Sequence, residues 1–275
     1  ADIIKVETPE GDITRDIGIG HSSKMSSVFL GVNRNKRSLL LNLKKKKSKE
    51  ILWRLLKSSD IFIHNMRPKK IINLGFGPRQ VNKKFPNIIF VGLQGYGEGG
   101  DYFGQPAFDD IIQAQSGIAG LNKNGKENPK FFPTVLADKS IGLLATAGLL
   151  AAYIKKLKTG KGCCLEISMF EGMAAYILVE HQYGEIFYPP IGNFGYPRLL
   201  TKNRKPYKTS DGYISILPYT DKQWFKFFDL INRPELKNIK KYSNIKNRSK
   251  NLNALYDLIG KSIRSKTNNE LVKSF

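Results

Sequence analysis

Residues 87–93, with the sequence NIIFVGL, narrow the folds open to this chain more than any other segment. The run is apolar at nearly every position, whereas a strand with one face in water alternates apolar and polar residues. A strand covered on both faces is typical of a largely parallel sheet with helices on each side. The run therefore predicts a central strand of an α/β domain.

The segments around this run alternate between strand and helix patterns, as a parallel sheet requires. We predict strands at residues 2–7, 38–43, 60–64 and 163–168, and helices at residues 48–56, 71–74, 78–84, 107–118 and 169–182. The order predicts an open, Rossmann-like, largely parallel sheet with helices, followed by a smaller α+β domain. A stretch rich in Pro, Gly and aromatic residues at 188–197 separates the two. The predicted domains are residues 1–185 and 208–275, with a linker or crossing loop at 186–207.

The longest apolar run, residues 141–153, follows directly after Asp138. Its small residues and leucines predict a helix that is buried on most faces and too short to span a bilayer. The lysines near residue 156 and Gly160 mark its carboxyl end. Asp138 has two interpretations that can coexist. It caps the helix through a backbone N–H, or it is a nucleophilic carboxylate that the helix amino terminus keeps ionised.

The net charge of +22 is compatible with nucleic acid, anionic lipid or a phosphate-bearing ligand. The lysines are dispersed, and the aromatic residues mostly lie at buried periods, so we predict no nucleic-acid binding; a basic nucleic-acid-binding protein stays the alternative of another class. We also predict no membrane association and a cytoplasmic location. The chain has two cysteines, adjacent in sequence, and three histidines, and it lacks a Cys/His cluster, so we expect no metal site.

A glycine-rich segment, GYGEGG at residues 95–100, follows the central strand. It fits the spacing of a dinucleotide-binding loop, which needs a helix directly behind it. The next residues contain Gly104 and Pro106 and have no helical period, so we expect neither a nicotinamide nor a flavin cofactor. The glycines still allow the backbone to approach a ligand closely.

Several segments in order resemble the class III coenzyme A transferases, the CaiB/BaiF-type family of carnitine, formyl and bile-acid CoA-transferases and alpha-methylacyl-CoA racemases. The matching segments are DIIKVE at 2–7, GDITR at 11–15, NRNKRS at 33–38, NMRP at 65–68, LGFG at 74–77, GYG at 95–97, AD at 137–138, TGKG at 159–162 and YKTSDGY at 207–213. The resemblance implies a fold of interlocked homodimers. Family members continue at both ends, so we expect this chain to be a fragment, with the first strand and helix of the large domain missing and an incomplete small domain.

The resemblance also implies the chemistry. Asp138 would attack an acyl-CoA thioester, and the reaction would pass through aspartyl anhydrides and an aspartyl-CoA thioester to a small carboxylic acid acceptor. Coenzyme A enters as part of the substrate. The CoA contacts implied by the resemblance are Leu41, Lys44, Asn65, Met66, Arg67, Gln94, Gly95, Tyr96 and Gly97.

Two further alternatives stay open at this point. A 2-methylacyl-CoA racemase of the same family needs a base beside the substrate, commonly a histidine before an aspartate. Here Phe108 precedes Asp109, and phenylalanine has no proton to exchange. We therefore favour CoA transfer over racemisation. The other alternative is a fragment that is inactive because its CoA pocket is incomplete.

Overall fold

The computed structural model describes residues 1–123 and 128–274. It confirms the predicted mixed α/β fold with parallel sheets. The chain divides into two compact units: residues 1–109 with 137–172, and residues 110–136 with 173–275. The domain bounds given above stay predictions.

The first unit contains five parallel-paired strands in two sheets. Strand β1 (Ile3–Glu7) pairs with β2 (Lys36–Leu40). Strand β4 (Ile89–Gln94) lies between β3 (Ile61–His64) and β5 (Cys164–Ser168). All four residues from Ile89 to Gly92 are buried, so the segment predicted to be covered on both faces is covered.

The helices of the first unit surround these strands. They are α1 (Ser27–Val32), α2 (Lys46–Lys57), α3 (Pro68–Leu74) and α4 (Pro78–Lys84), and most of α7 (Leu136–Thr159). One core cluster joins α2, α3 and α4 to the strands through Leu52, Ile71, Val81 and Phe90. A second cluster packs Ala152 of α7 against Ile89 and Val91 of β4.

Helix α7 runs antiparallel to strands β3, β4 and β5. Near its carboxyl end, Lys156 Nζ donates a hydrogen bond to Asp60 Oδ1 at 2.7 Å, just before β3 begins. Near its amino end, Ile141 contacts Gly172, which follows β5. The amino terminus of α7 therefore lies at the carboxyl edge of the three-stranded sheet.

The second unit carries the remaining helices and an antiparallel pair of strands. The helices are α5 (Asp109–Gln115), α6 (Ile118–Leu121), α8 (Met169–His181), α9 (Pro197–Leu200), α10 (Asp221–Leu230), α11 (Ile245–Ser249), α12 (Leu252–Ile263) and α13 (Asn268–Ser274); α5 and α8 begin in the first unit. Strand β6 (Tyr207–Lys208) pairs with β7 (Tyr213–Ile214). The core of the second unit contains aromatic and aliphatic residues of α10 and α12, including Trp224, Phe227, Leu255 and Ile259. A capping box begins α10, since Thr220 Oγ1 accepts the N–H of Gln223 and Gln223 Oε1 accepts the N–H of Thr220.

One predicted helix is divided in the structure, so its prediction was wrong in this detail. The helix predicted at 107–118 is two short helices, because Gly117 has a φ of +88° that breaks the regular helix between α5 and α6. Residues 124–127, which come after α6, lie outside the described residues.

Helix α7 is longer and more exposed than the sequence predicted. It has 24 residues, and Leu143 and Leu157 are 74% and 69% exposed. Among the described residues it is long and apolar enough to cross a membrane, with 17% of its most apolar stretch buried. Length and composition alone do not separate such a helix from the apolar helix of a globular domain. Burial on most faces was thus a wrong prediction for the single chain, because only one face of α7 packs on the sheet.

Gly162, between α7 and β5, lies close to the backbone of residues 86–88, just before and at the start of the buried run of β4. A substitution at Gly162 tests this close approach. Gly162 donates its N–H to Pro86 O at 3.0 Å, and a Cβ there would lie 2.0 Å from the carbonyl oxygen of Ile88. We expect Gly162→Ala to lower the free energy of unfolding by about 1–3 kcal/mol or more, because backbone must move. Urea unfolding followed by far-ultraviolet circular dichroism measures this change.

Gly31→Ala is the matched control. A Cβ on Gly31 in α1 meets no atom within 4 Å. It should leave stability unchanged or raise it by up to about 1 kcal/mol, since alanine favours helix. Equal effects of the two substitutions would contradict the packing described here.

Candidate active site

The carboxyl ends of β3, β4 and β5 lie side by side at one edge of the sheet. His64 pairs in register with Gly92, and Gln94 pairs with Ser168. The two predicted CoA-contacting loops follow directly, residues 65–67 after β3 and residues 95–97 after β4. In open α/β sheets, ligands bind at this edge of the strands. The amino terminus of α7 lies at the same edge, so the topology places Asp138 at the edge of the sheet from which the two loops extend.

Asp138 lies inside the first turn of α7, because the helix begins at Leu136. The predicted cap position was therefore wrong by the length of that first turn. The Asp138 backbone N–H is one of the amino-terminal groups that have no partner within a helix. It donates a hydrogen bond to Asp109 Oδ1 at 3.0 Å. Asp109, which is 7% exposed, thus does what the sequence analysis considered for Asp138 itself.

The Asp138 side chain is exposed, and its carboxyl group is free to meet a ligand. Loss of hydration raises the pKa of this carboxyl, and the negative charge of Asp109 raises it further. The sequence argument considered only the helix amino terminus, which favours the ionised form. A carboxylate with a raised pKa is more basic, and this suits an attack on carbon better than a carboxylate with an ordinary pKa.

The glycine loop, residues 95–100, is held by carboxylates that follow it far along the chain. Gly97 donates its N–H to Glu171 Oε1 at 2.9 Å, and Glu98 donates its N–H to Glu166 Oε1 at 2.7 Å. A Cβ on Gly97 would lie 2.8 Å from Glu171 Oε1. Glycine is therefore required at this position for the carboxylate to reach the backbone.

The glycine loop is also joined to the segment that carries Asp109. A Cβ on Gly95 would lie 2.4 Å from the Cβ of Ala107, two residues before Asp109. The next helix after the loop begins only at Asp109. The geometry of a dinucleotide-binding loop, in which a helix opens directly behind the glycines, is absent from residues 95–108, all of which are described.

Tyr96 lies within the loop but is buried. It is 4% exposed, and its ring lies 5.4 Å from the ring of Tyr102 and 6.1 Å from that of Phe170. Its side chain therefore helps to hold the loop. Gln94, the last residue of β4, is partly buried.

His64, the last residue of β3, organises the other loop. Its Nδ1 accepts the N–H of Met66 at 3.1 Å, and its ring lies 5.1 Å from the ring of Phe90. Burial lowers the pKa of His64 to about 4, so the imidazole is neutral and Nε2 carries its proton. Nε2 is buried and has no hydrogen-bond partner among the described residues.

The three predicted CoA contacts after β3 differ in exposure. Asn65 and Arg67 are exposed, whereas Met66 packs against the core below. The carbonyl oxygen of Arg67 accepts the N–H groups of Lys70 and Ile71 at the start of α3. The loop thus presents a cation and an amide from a backbone that is held at both ends.

The two remaining predicted contacts follow β2. Leu41 is 6% exposed and belongs to the core cluster of α2 and α3, and its N–H donates to Glu7 O at 2.9 Å. Lys44 is exposed, and its N–H donates to Asn42 Oδ1 at 3.1 Å. Lys44 is therefore available to a phosphate group, whereas the Leu41 side chain is part of the core.

Sequence reasoning missed four residues that shape this edge: Asp109 as the partner of Asp138, His64, Glu166 and Glu171. The sequence analysis considered Asp109 only as the residue that follows Phe108. His64 carries a signal, because it ends a strand directly before a predicted CoA loop. The glutamates carry none, since their partners lie 68 and 74 positions away. No group of three metal-binding side chains occurs in the described part of the chain.

His64 makes the stability of the first unit depend on pH. Its pKa is about 4 when folded and 6.5 in the reference state, so the unfolded chain binds a proton first as the pH falls. The free energy of unfolding should therefore fall between pH 6.5 and about 4, with at most a tenfold larger unfolding constant per pH unit. The carboxyl of Glu7, with a pKa of about 2, acts only below about pH 4.5.

Urea unfolding between pH 6.5 and 5 measures the effect of His64. His64→Asn should flatten the slope, because the amide oxygen accepts the Met66 N–H but does not titrate. His21→Asn, at an exposed histidine, is the control and should keep the slope of the parent. A parental slope in His64→Asn would rule out His64 as its source.

Comparisons with known proteins agree with this architecture. The family model described as CoA-transferase family III matches residues 1–275 of this chain. The chain is 28% identical to a probable fatty acyl-CoA transferase of Mycobacterium tuberculosis, over 99% of this chain and 72% of that protein. It is 32% identical to the (R)-2-hydroxy-4-methylpentanoate CoA-transferase of Clostridioides difficile, over 98% of this chain and 69% of that protein.

Other relatives extend further beyond the chain. The succinyl-CoA:glutarate CoA-transferase of Mus musculus is 29% identical over 86% of this chain, and the match covers 54% of its own length. The chain thus spans between 54% and 72% of these three relatives.

Solved structures show the same fold. A crystal structure of the Mycobacterium tuberculosis protein superposes with a TM-score of 0.82 at 26% identity, over 99% of this chain and 72% of that one. A CaiB/BaiF family protein from Brucella suis superposes with a TM-score of 0.77 at 25% identity, over 99% of this chain and 73% of that one. The family description covers every residue of the sequence, and the relatives are named as CoA-transferases. The chain therefore belongs to CoA-transferase family III, the CaiB/BaiF family of enzymes.

Proposed function

We propose that this chain carries the nucleophile and much of the CoA site of an enzyme that transfers coenzyme A from an acyl-CoA to a carboxylic acid. The observation that carries the proposal is the position of Asp138. It is an exposed carboxylate with a raised pKa, at the edge of the sheet where the glycine loop and the 65–67 loop also end. Membership of the family supports the reaction class.

In the proposed reaction, an Asp138 carboxylate oxygen attacks the thioester carbon and expels CoA thiolate, leaving a mixed anhydride. The thiolate then attacks the Asp138 carbonyl carbon, which releases the donor acid and forms an aspartyl-CoA thioester. The acceptor carboxylate attacks that thioester and expels the thiolate again. Attack of the thiolate on the acceptor carbonyl of this second anhydride yields the new acyl-CoA and regenerates Asp138.

Asp109 is proposed to position the nucleophile. Its carboxylate holds the Asp138 N–H, and its charge contributes to the raised pKa of Asp138. The intermediate anhydrides need protection from water, and the glycine loop is proposed to supply it. Glu166 and Glu171 would hold the loop in place through Glu98 and Gly97.

The CoA contacts proposed from the family resemblance divide by exposure. Lys44 and Arg67 are exposed cations suited to the phosphate groups of CoA. Leu41, Met66 and Tyr96 are buried or packed, so their contribution would come from shape and backbone. Asn65, Gln94, Gly95 and Gly97 would contact the arm that leads to the thioester.

Racemisation is the second reaction of the same family. Phe108, at the position that a basic histidine would take, is 72% exposed and has no exchangeable proton. Transfer therefore stays the proposed reaction. A cytoplasmic location and the lack of nucleic-acid binding stay predictions.

Substitution of Asp138 tests the nucleophile. Incubation with a substrate acyl-CoA should leave CoA on this carboxyl, and hydroxylamine should convert the adduct to a hydroxamate that peptide mass spectrometry locates. Asp138→Asn should lower transfer about a thousandfold or more, because an amide cannot form the anhydride. The fold should persist, since the Asp138 backbone N–H still meets Asp109.

Asp110→Asn is the matched control, because Asp110 is an exposed carboxylate of α5 next to Asp109. It should keep both adduct and turnover. An adduct on Asp110 or Glu98, or an active Asp138→Asn variant, would place the chemistry on another residue.

We further propose that the enzyme is a homodimer in which a second copy covers the exposed side of α7. Leu143, Leu150 and Leu157 lie on that side and are 74%, 54% and 69% exposed. Isolated surface leucines are common, but a row of them along one helix marks a contact surface. The family resemblance indicates that the partner is another copy of the chain.

Sedimentation of the purified protein tests the dimer. We expect a dimer. The double substitution Leu143→Glu and Leu157→Glu should shift it toward monomer, because burying an unpaired carboxylate in the dimer interface costs free energy. Val272→Glu, at a 66% exposed site in α13, is the control and should not change the mass. A parent protein that is monomeric with full helical content would rule the dimer out.

A further inference from the structure

A small cavity lies within the second unit, apart from the sheet edge described above. Its volume is about 70 Å³. Two arginines and several aromatic side chains line it, among them Arg198, Arg248, Tyr196, Tyr219, Trp224 and Tyr256. Nothing in the proposed CoA chemistry uses these residues.

Arg248 is the least exposed charged residue among these, at 1%. Its Nη1 donates to the carbonyl oxygen of Tyr242 at 2.8 Å, and its Nη2 donates to Asp221 Oδ1. Its Nε is buried and has no partner among the described residues. An unpaired N–H of a buried guanidinium is costly, so this atom calls for an acceptor, and Arg248 is one of the residues that line the cavity.

Arg198 supplies the second cationic group. Its Nε donates to the Tyr256 hydroxyl at 3.2 Å, and its guanidinium carbon lies 5.4 Å from the ring centre of Tyr219. These contacts orient the planar group. A guanidinium has five N–H donors, and the donors of Arg198 that Tyr256 and Tyr196 do not use remain for a ligand.

The charges in the cavity select an anion. Asp221 pairs with Arg248 and offsets one of the two positive charges. The remaining charge is that of Arg198, which matches a ligand carrying a single negative charge. Two arginines favour a group with two oxygens in one plane, because the guanidinium fork matches a carboxylate.

The size and walls of the cavity narrow the ligand further. A single water needs about 10–15 Å³, so a cavity of about 70 Å³ has room for a group larger than one water. The aromatic walls suit a short apolar tail beside the charged group. We propose that this cavity is a binding site for a short-chain carboxylate such as acetate or propionate. The assignment rests on the second unit alone and is independent of the function proposed for Asp138.

Trp224 provides a direct probe, because it lines the cavity and the chain has two tryptophans. In a Trp53→Phe background of the whole chain, Trp224 fluorescence is titrated with sodium acetate and sodium propionate. Sodium chloride and sodium phosphate at equal ionic strength serve as comparisons. We expect a saturable change with the carboxylates and a higher unfolding temperature when they are bound.

Arg198→Gln is the decisive variant. It should weaken carboxylate binding about tenfold or more, the loss expected for one charged hydrogen-bonding group. Arg204→Gln, at an exposed arginine of the same unit, should bind like the parent. Arg248→Lys keeps the charge but loses the fork, so it should also weaken binding; circular dichroism checks its fold, and Arg198→Gln decides the question if it is unfolded.

Three results would overturn the proposal. The first is the lack of a saturable response to either carboxylate, which would leave water as the occupant. The second is an equal response in Arg198→Gln and the parent. The third is saturation by phosphate without saturation by acetate or propionate, which would assign the cavity to a different anion.

Discussion

The packing of α7 across β4 and β5 is the constraint on which the candidate site depends. Lys156 binds Asp60 at one end, and Ile141 meets Gly172 at the other. Between them, Ala152 packs on Ile89 and Val91. Because the helix runs against the strands, its first turn comes to the edge where the strands end. A carboxylate in that turn therefore lies at the edge from which the loops after β3 and β4 extend.

Several carboxylates lie at the same edge, and their negative charges repel one another. Asp109 and Asp138 are joined through a backbone N–H, and their proximity contributes to the raised pKa of Asp138. Glu166 and Glu171 instead bind backbone N–H groups of the glycine loop. Asp109, Glu166 and Glu171 thus hold backbone N–H groups, while the Asp138 carboxyl group is exposed and its own backbone N–H is held by Asp109. This division fits a site in which one acid reacts and the rest hold the geometry.

The second unit is built differently and offers different chemistry. Its core consists of aromatic residues of α10 and aliphatic residues of α12, and the basic side chains Arg198 and Arg248 line a cavity at that core. A buried guanidinium with an unpaired N–H is seldom retained without a ligand or water to receive it. The two units therefore offer two different settings for the proposed anion sites. One is the exposed Lys44 and Arg67 of the first unit, and the other is the pair Arg198 and Arg248 at the cavity.

The sequence by itself determined the α/β class, the buried strand β4, the glycine loop after it and the carboxylate at the start of the long helix. These features are local, because hydrophobic period and turn residues report burial and direction within a short stretch of chain. Tertiary structure alone decided that Asp109 holds the Asp138 N–H, that Glu171 holds Gly97, that His64 is partly buried and neutral, and that one side of α7 is left exposed. Each depends on which surfaces of distant segments meet, and the register of β3, β4 and β5 sets those contacts rather than the spacing of residues along the chain.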